Sequence, residues 1–86
     1  MLALEELAAK YIQKTERVLT LLKSVNVSVS PDEKKVYAVV DEAKRYLEDA
    51  KYYYEKKKFE TSLVSVAYCE GLLDSLRMLG YVEFTW

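Results

Sequence analysis

Apolar residues recur at intervals of three and four through most of this chain, the period of helices with one face turned inward. From about Ala3 to Val25 the row is Leu4, Leu7, Ala8, Tyr11, Ile12, Val18, Leu19, Leu22 and Val25, interrupted only at Thr15. Leu21 falls off that row and is expected at the surface. Glu5 and Glu6 occupy the first turn, where negative charge complements the helix dipole, and Lys23 lies near the end. A second helix, from about Pro31 to Lys56, repeats on a heptad: Val36, Val40, Ala43, Leu47, Ala50 and Tyr54. A flanking row, Val39, Tyr46 and Tyr53, widens the stripe enough to touch two neighbours. The opposite face is charged, and Lys44–Glu48, Arg45–Asp49 and Lys51–Glu55 are spaced for ion pairs four apart.

Between these helices, Asn26 to Ser30 breaks the period and reads as an extended loop. Ser30-Pro31-Asp32-Glu33 then carries a capping box, with Pro31 suited to the first helical position. Glu55-Lys56-Lys57-Lys58 ends the second helix without Gly or Pro, and Phe59 restarts a different period. The alternative is one continuous helix of about fifty residues, which requires an oligomeric coiled coil.

The third helix, from about Phe59 to Leu79, has the core line Phe59, Leu63, Val66, Cys69, Leu73 and Leu76, with Leu72 and Leu79 beside it. Between Thr61 and Leu79 its only charges are Glu70, Asp74 and Arg77. A helix apolar on most of its circumference is expected to pack over most of its length, which makes this one the buried centre. Gly80 closes it as the residue after the cap, and a short aromatic tail ends at Trp86. The reading is an all-α, antiparallel up-down-up three-helix bundle with a short C-terminal tail, one domain spanning residues 1–86.

Composition narrows the function classes. Eighty-six residues allow one small core. Thirteen basic against fourteen acidic residues give a net charge of −1, so no overall field favours nucleic acid or acidic membranes. The opening Met1-Leu2-Ala3-Leu4-Glu5-Glu6 is wrong for a signal peptide. Glu70 and Asp74 sit where a membrane span would need apolar residues. One Cys, at position 69, fits a reducing cytoplasm. The chain has no His, which removes the usual general base and the commonest metal ligand. A single Cys excludes paired-Cys zinc sites, and two isolated glycines exclude a P-loop or dinucleotide fingerprint. Catalytic residues, metal and cofactor are therefore not expected.

Three features remain as candidate sites. Tyr68, Glu70, Asp74 and Arg77 form either a half-buried ion pair at the bundle rim, with Tyr68 covering core, or a polar binding notch. The tyrosine load is the second: eight in all, with Tyr52-Tyr53-Tyr54 consecutive. Three successive residues span about 200° of a helix, so Tyr52 falls among the charges. It is either a protein contact or part of an ordinary Lys/Glu-rich surface. Phe84 and Trp86 either fold back to close the end of the bundle or dock on a second subunit. Lys56-Lys57-Lys58 beside Phe59 could touch phosphate, though three lysines at a turn are usually solvated.

The stretch from Asp49 to Gly80 resembles the short archaeal proteins grouped as domain of unknown function 357. The resemblance rests on Asp49-Ala50, Tyr52 to Tyr54, Phe59, Ser65, Tyr68, Gly71-Leu72-Leu73-Asp74 and Leu79-Gly80. It implies a compact three-helix bundle and an archaeal cytoplasmic origin, and no activity. The chain departs from the pattern where Lys56-Lys57-Lys58 stands in place of a Gly-Asp turn. The same stretch more loosely resembles the last two helices of higher-eukaryote-and-prokaryote nucleotide-binding domains. Those that cleave RNA use an Arg followed by a His, which is missing here, so only a non-catalytic nucleotide or small-ligand binder is implied. One helix pair echoing the tetratricopeptide pattern does not make an array. The leading expectation is a non-catalytic interaction or self-association module, a homodimer among its forms, with Tyr52, Phe84 and Trp86 as partner contacts.

Overall fold

The computed structural model describes residues 3–22 and 33–86. Three helices follow one another: α1 (Leu4–Leu22), α2 (Glu33–Glu55) and α3 (Phe59–Met78). They pack as the antiparallel bundle the periodicity predicts, with α2 and α3 the closest pair. Among the described residues there is no strand, and no helix is long and apolar enough to cross a membrane. The end of the first predicted helix, the extended loop and Ser30-Pro31-Asp32 of the capping box lie outside the described residues.

The heptad row of α2 supplies its buried residues: Val36, Val40, Ala43, Leu47 and Ala50. Its flanking row, Val39, Tyr46 and Tyr53, is half-buried as expected, and Leu21 on α1 is exposed. Alanines 43 and 50 have no exposed surface, and the side chain of Ser62 fits against α2 at this level. Its hydroxyl donates to the Ala50 carbonyl at 2.7 Å, so the polar atom it brings into this seam is satisfied. Thr15, the interruption in the α1 row, is also fully buried. Its hydroxyl donates to the Tyr11 carbonyl one turn back at 2.8 Å, which removes the penalty of placing it inside.

The C-terminal ends of α2 and α3 terminate in the same way. After α3, the Gly80 N–H donates to the Arg77 carbonyl and the Tyr81 N–H to the Leu76 carbonyl, both at 3.0 Å, with Gly80 at φ 82°. After α2, the Lys57 N–H donates to Tyr54 at 3.0 Å and the Lys58 N–H to Tyr53 at 2.9 Å, with Lys57 at φ 63°. These are Schellman motifs, whose left-handed residue is usually glycine. The three lysines thus form a tight turn between two helices, which excludes the continuous fifty-residue helix. Lys57 carries the backbone strain that glycine would avoid. Lys57→Gly should raise folding stability by about 1 kcal/mol, or the melting temperature by roughly 4–8 °C. An unchanged or lowered melting temperature would contradict the strained turn.

The surface ion pairs differ from those predicted. Arg45 pairs with Glu42 at 2.5 Å and Lys51 with Glu48 at 3.4 Å, both three apart, and Lys51 also reaches Glu16 on α1. Hydrogen bonding to Glu16 is the main reason that Lys51 titrates above its ordinary value. Among the described residues, Lys44–Glu48, Arg45–Asp49 and Lys51–Glu55 do not form: Lys51 instead bridges two helices.

Candidate functional site

The largest departure from the sequence reading concerns α3. Its inner side packs as expected, with Val66, Cys69, Leu73 and Leu76 buried. It is not enclosed, however. Val64 is 70% exposed, Tyr68 54%, Met78 77% and Leu79 69%. In a bundle of three, each helix meets its two neighbours on one side and turns the other to solvent. The outer side of α3 simply lacks charge. Thr61, Val64, Tyr68, Gly71, Ser75 and Met78 run along it at helical spacing for about five turns. A Cβ placed on Gly71 would meet nothing within 4 Å, so no intramolecular contact requires glycine there.

Grooves flank this ridge on both sides. Between α1 and α3 lies a groove of about 380 Å³ lined by Tyr11, Leu63, Val64, Val66, Ala67 and Glu70. A hollow of about 220 Å³ adjoins it through Ala67 and Glu70 and reaches Gly71, Asp74 and Trp86. On the α2 side, about 260 Å³ is lined by Lys35, Val36, Val39, Leu76, Leu79 and Tyr81.

The predicted polar notch is divided. Tyr68 and Glu70 are two residues apart and so point about 200° apart around the helix. Tyr68 faces α2 and packs on Tyr46, with ring centroids 4.4 Å apart. Glu70 faces α1, where Lys14 Nζ lies 3.3 Å and Thr15 Oγ1 3.5 Å from its Oε1. Asp74 and Arg77 stay together: Arg77 donates from Nε at 2.9 Å and from Nη2 at 2.6 Å to Asp74 Oδ1. The hydrogen bonds from Arg77, and secondarily from Trp86, hold the Asp74 carboxyl below its ordinary range. Its interaction with the tail is therefore present above the usual carboxylate pKa and lost as pH falls through the lowered one.

The tail folds back onto its own chain. Val82 is buried, while Phe84 and Trp86 pack against the core. Trp86 donates its indole N–H to Asp74 at 3.2 Å, and its backbone carbonyl accepts from Arg17 at 2.7 Å. Lys14 Nζ lies 5.1 Å from the indole centre and 4.3 Å from the Tyr11 ring. Phe84 meets Trp86 edge-on at 4.9 Å, with the Arg77 guanidinium 5.8 Å from the Phe84 ring. Tyr52 stands apart on the charged face of α2, 58% exposed, with Lys56 Nζ 5.5 Å from its ring. The structure therefore does not gather Tyr52, Phe84 and Trp86 into one patch.

Lys14, Thr15 and Arg17 of α1 complete the polar seam, and the sequence reading missed all three. Only the break at Thr15 pointed toward it. The seam's charges neutralise one another, and Cys69 is buried with its thiol pushed up to about 12, mainly by burial and then by Glu70. Among the described residues no group of three His, Cys, Asp or Glu is placed to hold a metal ion.

A family model described as a protein of unknown function (DUF357) matches residues 10–82. The chain belongs to the DUF357 family. The match runs from α1 through the Lys56–Lys58 turn to Val82, well beyond the last third of the chain that carried the resemblance. The bundle implied by that resemblance is the one observed. The DUF357 chain keeps a left-handed turn residue with Lys57 where a Gly-Asp turn was expected. No curated protein and no solved structure matches the DUF357 chain.

Proposed function

We propose that this DUF357 protein is a non-catalytic docking module whose contact surface is the outer side of α3. One observation carries the reading: a helix side without a charged residue from Thr61 to Met78, facing solvent in a chain that is 31% charged. Val64, Tyr68, Met78 and Leu79 stand exposed on this one helix, and clustered exposed apolar side chains mark interaction sites more often than scattered single ones do. Tyr68 suits a contact position because its ring presents a large area at low entropic cost. A photo-crosslinking residue placed at Met78, compared with one at exposed Asp41 on α2, tests the reading in the native cell. Adducts concentrated at position 78 are expected. Equal yields at both positions, or none at 78, would sink it.

The α1–α3 groove favours a second reading, a small-ligand site, because its volume lies within the usual range of ligand pockets. Its lining is mostly apolar and its one carboxylate, Glu70, is paired with Lys14, so the chemistry suits a neutral apolar molecule. A thermal-shift panel of such compounds would register binding at 100 times Kd as about 2.7 kcal/mol of added stability. A flat panel counts against this second reading for the compounds tried.

A further inference from the structure

We propose that the occupant of the α3 ridge is a second copy of this chain, bound so that the two α3 helices run antiparallel around a two-fold axis. This rests on the docking role of α3 and names its partner.

Four observations support the same arrangement. First, the ridge is complementary to its own reverse. Centring an antiparallel pair between Cys69 and Glu70 sets Tyr68 against the partner's Gly71 and Val64 against the partner's Ser75. The same register sets Thr61 against the partner's Met78. Every pairing places a larger side chain over a smaller one, the pattern that lets two helix surfaces interdigitate. A two-fold axis repeats each contact twice, as an isologous interface requires.

Second, the carboxylates nearest the axis are neutralised within each copy. Glu70 and Asp74 lie toward α1, each held by a basic side chain. The net charge of −1 puts little long-range repulsion between copies.

Third, the area suffices. A standard interface takes about 800 Å² from each partner, and the chain exposes 5933 Å². The ridge is about 27 Å long, and with its flanking grooves it makes up one of the three sides of the bundle. The grooves receive the larger side chains that a ridge-on-ridge contact displaces sideways.

Fourth, Gly71 lies on the solvent side of a helix, where an added Cβ would meet nothing within 4 Å in the monomer. A mid-helix glycine lowers helix stability relative to alanine. In the antiparallel pair it makes room for the partner's Tyr68.

Sedimentation equilibrium of the purified full chain from about 1 to 500 μM, conditions set to cover typical affinities, should find a species of twice the chain mass. Val64→Glu and Gly71→Leu should each weaken association at least tenfold. Both positions are exposed, so the melting temperature of the dilute protein should be unchanged or, for Gly71→Leu, higher. Register is read by disulfide trapping in a Cys69→Ala background. Val64→Cys mixed with Ser75→Cys should cross-link, and Val64→Cys alone should not.

A monomer at every concentration overturns the proposal, as does a dimer indifferent to both substitutions. Trapping of Val64→Cys with itself overturns the antiparallel register. If the protein is monomeric while adducts at position 78 carry a foreign mass, self-pairing falls and the docking role of α3 stands.

Discussion

Replacing Leu73 by Ala should remove about 3–5 kcal/mol of folding stability, while Leu79→Ala should change it by less than about 0.5 kcal/mol. Both leucines lie on α3 and both were read from the sequence as part of its packed side. Leu73 has no exposed surface and is the largest of the fully buried side chains, whereas Leu79 is the capping residue beyond the last turn. Truncating Leu73 removes its transfer free energy and leaves a cavity bounded by three helices, which the backbone can close only in part. A domain of this size holds roughly 4–13 kcal/mol in total, so the loss is a large share of it. The melting temperature should fall by more than about 10 °C. Urea unfolding at fixed protein concentration separates the two variants, and concentration must be matched because self-association would add to apparent stability. Equal effects at the two positions would mean that the inner side of α3 is misassigned.

The contrast between those two leucines marks where the sequence was legible. On α2, apolar and charged residues alternate with strong contrast, and each row took the expected position, from buried Val36 to exposed Tyr52. On α3 that contrast is missing. The period still picked out the inner line, Val66, Cys69, Leu73 and Leu76, but Val64 and Met78 are as apolar as those residues, so nothing in the pattern marked the other side as exposed. Lack of charge was read as burial, but burial depends on neighbours, and a bundle of three leaves every helix one open side.

Polar positions failed for a different reason. Thr15 interrupted the apolar row of α1 because its side chain is polar, yet it is fully buried with its hydroxyl donating to the Tyr11 carbonyl. Lys57 gave no turn signal because lysine seldom adopts positive φ, and here the two flanking helices hold it there. The division of Tyr68 from Glu70 followed from helix geometry alone. The link from Asp74 to Trp86 did not, because it joins residues across a reversal of the chain.

Cys69 should react with a thiol reagent at pH 8 on the order of a thousandfold more slowly in the native protein than in urea-unfolded chains. The thiolate is the reactive form. Burial, with Glu70 adding its negative charge, moves the thiol from an ordinary value of 9.0 up to about 12. A shift of about three units leaves on the order of one thousandth of the unfolded thiolate fraction at that pH. The side chain also has no exposed surface, so labelling waits for opening of the bundle. Linkage fixes the sign of the accompanying pH dependence. The folded value lies above the unfolded one, so the contribution of the buried thiol is complete below about pH 9. It is then lost as pH rises toward about 12, because the unfolded chain gives up the proton first. Tyrosines and lysines titrate in the same interval, so the comparison is between wild type and Cys69→Ala. The wild type should lose stability more steeply across that window, by a few kcal/mol at its upper end. Parallel curves for the two proteins, or rapid labelling of the native thiol at pH 8, would place Cys69 at the surface and undo the inward side of α3.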